Sequence, residues 1–441
     1  MNKSYYIETY GCQMNVADSE LIDGILQHEG YKQTQNIDEA NVIFINTCAV
    51  RDHAEAKVHS RLGNFNRIKK NKPEVIIGML GCMAQNLKDE ILENKPYVDI
   101  VLGPDSYRKL PVTLNNRLKE QRHIVDTQLS RFEVYDGLFP SRKEGINAWV
   151  SIMRGCDKFC TFCIVPFTRG RERSRSPKSI LQEIERAIKN GFVEVTLLGQ
   201  NVNSYKHDNI DFTGLLKQIS SIPGLLRLRY TSPHPSDVNE ELLEVMADSK
   251  NICNSIHFPL QAGSDRILRR MNRTYTKNHF LEYAKKIRSI IPGVGISTDI
   301  IVGFPGETEE DFQETLEVMD IVKFDSAYTF KYSSRPYTKA IEYDDHIDED
   351  VKKDRLDRLI KLQRQHTLLR NQEMIDTVVD VLVEKESKKS DEYWSGRTDS
   401  NKWVIFKKDT AKVKDIIPVR ITAAHGVTLK GQIEGKKNEI N

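Results

Sequence analysis

The N-terminal part of this 441-residue chain repeats one pattern. An apolar run, a turn carrying a cysteine and an amphipathic stretch recur on a period of roughly 35 residues. Runs at 4–9, 41–46, 74–80 and 98–102 read as strands, and 17–28, 51–70 and 85–93 as helices. Apolar strands separated by helices predict a parallel sheet covered on both faces. Such sheets place ligands at the carboxyl ends of their strands, and three cysteines fall there: Cys12 in Tyr10-Gly-Cys-Gln-Met-Asn15, Cys48 in Asn46-Thr-Cys-Ala49 and Cys82 in Leu80-Gly-Cys-Met-Ala84. One cysteine at a strand end is an ordinary small hydrophobe. Three in equivalent turns predict convergence on one cluster, with Gly11 and Gly81 admitting close approach of the backbone.

Between 108 and 147 the pattern weakens into a polar connecting arm. Strands are predicted again at 148–153, 194–198, 227–231, 255–258, 295–302 and 326–332, with helices such as 177–189, 238–247, 276–290 and 308–322 between them. Six strand–helix units predict a curved parallel sheet or (β/α)6 partial barrel, with chemistry at the strand-following loops. A helical stretch at 348–375 closes this region. Short strands at 377–383, 393–395, 402–406, 417–423 and 427–432 then predict a small antiparallel barrel of the kind that binds oligonucleotides. The class is α/β, divided as 1–120, a linker at 121–145, a core at 146–372 and a barrel at 373–437.

Directly after the first core strand comes Gly155-Cys-Asp-Lys-Phe-Cys-Thr-Phe-Cys-Ile164, a C-x3-C-x2-C triplet of Cys156, Cys160 and Cys163. Three thiolates are one too few to close a four-iron cluster, so one iron stays open for chemistry. Zinc would want a further Cys or His, but no second knuckle occurs, and His123 and His207 lie far from the triplet.

The net charge of +2 does not announce nucleic acid. A local run, Arg169, Arg171, Arg173 and Arg175, does offer phosphate contacts beside the triplet. Seven cysteines, an odd number, argue against a disulfide scaffold. No apolar stretch approaches the roughly 20 residues of a membrane span. Exposed cluster ligands want a reducing compartment, so no membrane and a cytoplasmic location are expected. Cys253 reads as a buried structural thiol. Trp394 and Trp403 read either as base-stacking surfaces or as barrel core, and His234 as a substrate contact or a turn former.

With Phe162 just before its last cysteine, the triplet resembles the signature of the radical S-adenosylmethionine (SAM) enzymes. The order of a Cys-bearing α/β domain, this core and a small barrel resembles the methylthiotransferases over approximately residues 3–436, and the barrel resembles the TRAM domain. Tyr10-Gly-Cys-Gln-Met-Asn15, the triplet through Pro166, Arg169-Gly-Arg-Glu-Arg-Ser-Arg175, Leu198-Gly-Gln-Asn-Val-Asn203 and Tyr230-Thr-Ser-Pro-His-Pro235 are similar to the subgroup acting on tRNA. One departure is Ser333-Ser-Arg-Pro-Tyr-Thr-Lys-Ala340, where the family commonly shows a Gly and a second Pro, which leaves that loop's geometry open.

The resemblance implies two 4Fe–4S clusters. Cys156, Cys160 and Cys163 hold the one that cleaves SAM, and Cys12, Cys48 and Cys82 an auxiliary one that carries the sulfur. It implies conversion of N6-isopentenyladenosine at position 37, beside the anticodon, to its 2-methylthio derivative with two SAM per turnover. Paralogues act instead on threonylcarbamoyladenosine or on a ribosomal protein aspartate. Implied partners are an isopentenylated anticodon stem-loop and an external one-electron reductant of flavodoxin or ferredoxin type, with the enzyme a monomer. Phe162, Gln200, Asn201, Arg229, Ser232, Gln261 and Asp299, at or near strand ends, are the candidate SAM contacts. An electron-transfer protein with an RNA-binding module is the rival reading, and it predicts no SAM cleavage.

Overall fold

The computed structural model describes residues 3–49 and 52–435. The chain forms two compact units, one of Met1–Phe159, Cys163–Asn190 and Thr196–Ile210, the other of Cys160–Phe162, Gly191–Val195 and Asp211–Asn441. No helix among the described residues is long and apolar enough to cross a membrane.

The first unit is built on a parallel sheet of six strands in the order Lys32–Gln33, Ser4–Tyr10, Val42–Thr47, Ile76–Gly81, Ile100–Leu102 and Ile124–Asp126. Every residue of Val42–Thr47 and Ile76–Gly81 is buried, as a doubly covered parallel sheet requires. One face packs Leu21, Ile22 and Leu26 of the helix Gln13–His28 with Leu110 and Leu114 of Leu110–Glu120; the other packs Val58, Leu62 and Phe65 of Asp52–Asn71. Register then sets the site. Tyr10 pairs with Thr47 and Thr47 with Gly81, so the three cysteine turns leave the sheet at one level.

Two differences from the sequence reading stand out here. The helix expected at 17–28 begins at Gln13, capped by Cys12 in extended backbone, whose N–H donates to Asn15 Oδ1 at 3.4 Å. The stretch 121–145, expected as a linker, supplies the sixth strand and buries Tyr135 against Tyr107. Three residues of strand are too few to show a period.

In the second unit Ser255–His257, Gly295–Val302 and Ser326–Lys331 are parallel neighbours. The strand Glu194–Leu198 has residues in both units. The C-terminal strands Val378–Ser387, Ser390–Thr398, Trp403–Lys407, Thr428–Ile433 and Ile416–His425 close into a barrel in that order around Val381, Val404, Phe406, Val419 and Leu429. The barrel is not wholly antiparallel as expected: Trp403–Lys407 and Thr428–Ile433 run parallel.

Gly81 stands at φ +93, where a side chain is strained, and an added Cβ would press on Asn46 Oδ1 and lie 2.7 Å from Thr47 O. Gly81→Ala is therefore expected to destabilise the protein by about 1–3 kcal/mol. Chemical denaturation checks this, and an unchanged midpoint would refute it.

Candidate functional site

In the first unit the three sheet-edge cysteines share one neighbourhood. A Cβ on Gly11 (φ +132) would come within 2.5 Å of Cys48 Cβ, so only glycine lets the first turn lie against the second. Gly11 and Gly81 thus admit neighbouring turns as well as any cluster. Asn15 and Asn46, both fully buried, tie the turns together: Asn15 Nδ2 donates to Asn46 Oδ1 (3.3 Å), and Asn46 Nδ2 donates to Asn15 O (2.9 Å). Hydrogen bonding from the Cys48 thiol, the charge of Arg169 and the backbone N–H groups of Asn15 and Met14 pull the Cys12 thiol down to about 6 against the effect of its burial. Burial pushes the Cys82 thiol up, opposed by Arg169. Cys12 and Trp149 pack on a small apolar cluster of Met14, Ala17 and Leu198, and Cys82 shares another with Ala49 and Ile164, the residue after Cys163.

Among the described residues no three Cys, His, Asp or Glu side chains stand ready to hold a single ion. The surroundings fit a larger, negatively charged group. Asp18, on the helix that Cys12 caps, accepts from Arg154 Nη2 at 2.5 Å and from Arg169 Nη2 at 2.8 Å, and all three side chains are buried. Burial disfavours the Asp18 carboxylate, yet the two guanidiniums hold it below the usual range. The Arg169 side chain also hydrogen-bonds the Cys82 thiol. A guanidinium therefore stands beside the Cys12 and Cys82 thiols.

These contacts correct the reading of the arginine run as a phosphate-binding stretch. Arg169 serves Asp18. Arg173 is buried on Asp105 (2.9 and 3.1 Å), and Arg175 is buried on Glu183 (2.7 Å). Only Arg171 is exposed, paired with Asp157 at 2.6 Å and lying over the Phe159 ring. Alternation of charge along the run marked its importance, but carboxylates far away in sequence decided its partners.

Of the triplet, Cys156 and Cys163 belong to the first unit and Cys160 to the second. Cys156 N–H donates to Gly170 O at 3.2 Å. In the second unit Arg273 Nη1 donates to Cys160 Sγ at 3.3 Å, while its Nε meets Tyr275 Oη at 3.0 Å. Tyr275 in turn donates to the carbonyls of Pro259 and Leu260. Phe162 meets Phe304 edge to face, and Phe304 contacts Tyr332 and Tyr343 in the same manner. Sequence reasoning missed Arg273; its signal was a single arginine in a basic run, with nothing to set it apart.

Of the candidate SAM contacts, Ser232 (φ +58) and Gln261 (φ +66) stand in left-handed backbone just past strand ends, the kind of strain that collects at binding sites. Asp299 Oδ2 lies 3.1 Å from His257 Nε2. Gln200 Oε1 is buried without a hydrogen bond, and Asn201 is buried. Arg229 is corrected: it is buried on Glu194 (3.0 Å) and donates to Asp399 O and Thr398 O, while Arg227 reaches Arg397 O and Asp380 O. Both arginines therefore fasten the barrel to a core strand of their own unit. Trp394 packs on the barrel core with its N–H on Ala411 O, and Trp403 lies beneath Lys385. Cys253 is buried as expected.

Residues 4–103 match Uncharacterized protein family UPF0004, 150–319 the Radical SAM superfamily and 372–433 the TRAM domain. The fold is similar to the radical S-adenosylmethionine methyltransferase TsrM of Kitasatospora setae, solved with cobalamin and a 4Fe–4S cluster. The TM-score is 0.58 at 14% identity, over 77% of each chain. Fold and cysteine motif define the class, a radical SAM enzyme. The tRNA-2-methylthio-N(6)-dimethylallyladenosine synthases of Phocaeicola vulgatus and Christiangramia forsetii are 47% and 44% identical, each over 98% of this chain and over 96% and 94% of their own. The chain belongs to this family of methylthiotransferases.

The Cys12 environment is testable in cluster-free protein. Alkylation of Cys12 by iodoacetamide, followed by peptide mass spectrometry, is expected to reach half its maximal rate near pH 6, against about 8.5 for an ordinary thiol. Removing the Cys48 donor with Cys48→Ala should move that midpoint upward. A wild-type midpoint near 8.5 would contradict the arrangement.

Proposed function

We propose that this chain converts N6-isopentenyladenosine at position 37 of tRNA to 2-methylthio-N6-isopentenyladenosine. The observation that carries the reading is the juxtaposition, in one unit, of three sheet-edge cysteine turns with the loop of the triplet: Cys82 shares an apolar cluster with Ala49 and Ile164, and Cys12 packs on the cluster of Met14, Ala17 and Leu198, the last at the strand end that leads to Gln200 and Asn201. Cys156, Cys160 and Cys163 would hold one 4Fe–4S cluster, and Cys12, Cys48 and Cys82 a second. Bound together, the clusters and two molecules of SAM supply the 5′-deoxyadenosyl radical, the sulfur and the methyl group that an unactivated adenine C–H bond requires.

The chain's own residues bind, orient and exclude water. The charge and hydrogen bond of Arg273 on Cys160 orient that ligand. Phe162, set edge to face against Phe304, is placed beside the last cysteine of the triplet. Ser232, Gln261 and Asp299, with Gln200 and Asn201, are the polar groups we assign to SAM. The buried, unbonded Oε1 of Gln200 is suited to accept from an ammonium. Arg229 has no part in this set. For RNA, the barrel formed by the strands from Val378 to Ile433 and the exposed Arg171 remain the assigned surfaces. A loop adenosine is already unstacked enough to enter a pocket at low cost. A flavodoxin- or ferredoxin-type reductant, action as a monomer and a cytoplasmic location complete the reading.

Anaerobically reconstituted protein with SAM, dithionite and an isopentenylated anticodon stem-loop is expected to yield the 2-methylthio nucleoside together with 5′-deoxyadenosine, read by mass spectrometry of digested RNA. Cys12→Ala should abolish the modified nucleoside, and Cys156→Ala both products. 5′-Deoxyadenosine without modified RNA would keep the radical core and overturn the substrate, with threonylcarbamoyladenosine tRNA and a ribosomal protein aspartate next in line.

A further inference from the structure

In the second unit the middle of the triplet is seated on the segment 270–275. Thr161 N–H donates to Met271 O at 3.1 Å, Thr161 Oγ1 donates to Arg270 O at 2.8 Å, and Thr161 O accepts from Ala340 N–H at 2.9 Å. That seating brings Cys160 to Arg273, whose own N–H donates to Leu268 O at 2.8 Å. All three nitrogens of the Arg273 guanidinium are engaged. Nη1 donates to Cys160 Sγ at 3.3 Å, Nε to Tyr275 Oη at 3.0 Å and Nη2 to Pro259 O at 3.4 Å. Tyr275 is buried and fixed in turn. Its hydroxyl lies 2.9 Å from Pro259 O and 2.7 Å from Leu260 O, and the guanidinium carbon stands 5.0 Å from its ring centre.

The acceptors set Arg273 apart. Arg169, Arg173, Arg175 and Arg229 each give a donor to a carboxylate, which balances their charge. The donors of Arg273 go instead to a phenol, a carbonyl and a sulfur. Tyr275 stays a neutral phenol, its hydroxyl pushed up to about 12 chiefly by burial. Among these three acceptors only Cys160 can carry the opposite charge, as the thiolate in which a cysteine binds metal. An iron–sulfur cluster that accepts an electron becomes more negative, and its reduction potential depends on net charge and on hydrogen bonds to its sulfurs. A cation fixed on a ligand sulfur favours the more negative, reduced state and so raises the potential.

We propose that Arg273 sets the reduction potential of the centre held by Cys156, Cys160 and Cys163, raising it toward the reach of an external one-electron donor. It acts through the Cys160 sulfur, as a positioning residue that Tyr275 holds in place. This rests on the assignment of a 4Fe–4S cluster to the triplet.

The test uses the full chain carrying Cys12→Ala, Cys48→Ala and Cys82→Ala, so that only the triplet can load. After anaerobic reconstitution and an iron and sulfide count, the protein is titrated with dithionite against redox mediators in the absence of SAM. Electron paramagnetic resonance reads the reduced cluster. Loss of one hydrogen bond to a charged group corresponds to about tenfold in the reduction equilibrium, which for one electron is about 59 mV. Arg273→Gln and Arg273→Met are each expected to lower the midpoint potential by about that amount. Arg273→Lys, which keeps the charge, should recover part of the shift. An arginine with a structural role alone would change how much protein loads and leave the midpoint of the loaded molecules where the parent has it. An unmoved midpoint in whichever of the Gln and Met variants loads iron, or no recovery with Lys, would overturn the proposal. If neither of the two takes up iron, Arg273 serves assembly of the cluster and the proposal falls as well. A parent that takes up no iron would overturn the cluster assignment itself, and the tuning role with it.

Discussion

One buried carboxylate organises the first unit. Asp18 lies on the helix that Cys12 caps, and its two oxygens receive Arg154 from the strand just before the cysteine triplet and Arg169 from the helix just after it. Segments more than a hundred residues apart are thereby clamped around one point. Burying three charges adds little net stability, since desolvation offsets most of the attraction, but removing one partner typically costs about 3–5 kcal/mol. The value of such a clamp lies in geometry. It ties the helix that Cys12 caps to the segments on either side of the triplet and sets Arg169 against the Cys82 thiol.

The sheet provides the rest of the convergence. Parallel pairing of Tyr10 with Thr47 and Thr47 with Gly81 puts the three exits at one level, and left-handed glycines permit the tight approach that follows. Cys12 then gains the N-terminus of a helix and the Cys48 thiol as donors, which favour its thiolate, the form in which a cysteine binds metal. Cys82, fully buried, is pushed the other way. Unequal thiols in one cluster of turns are a consequence of where each sits on the same sheet edge.

The second unit uses buried arginines in two distinct ways. Arg227 and Arg229 spend their donors on barrel carbonyls and Glu194, a mechanical task. Arg273 gives one donor to Cys160 and the others to Tyr275 and Pro259, a chain that leads from the triplet to the backbone next to the left-handed Gln261. Residue type alone does not separate the two uses; the acceptors do.

The α/β class, the strand 194–198 and the helix 177–189 were legible in the chain, and so was the placing of Cys12, Cys48 and Cys82 at strand ends. Periodicity reports local burial, and local burial is what makes strands and helices. The strand Ile124–Asp126 was too short to register, and the parallel pair in the barrel depends on closure, which no local pattern encodes. Partnership of charges was equally out of reach. Arg169, Arg173, Arg175 and Arg229 look in sequence like groups waiting for a ligand, and only the folded chain shows carboxylates and carbonyls already holding them. The sequence by itself determined which elements form and which cysteines lead them. Tertiary structure alone decided which acceptor each buried donor meets, because a hydrogen bond or an ion pair is settled by distance in space and not by separation along the chain.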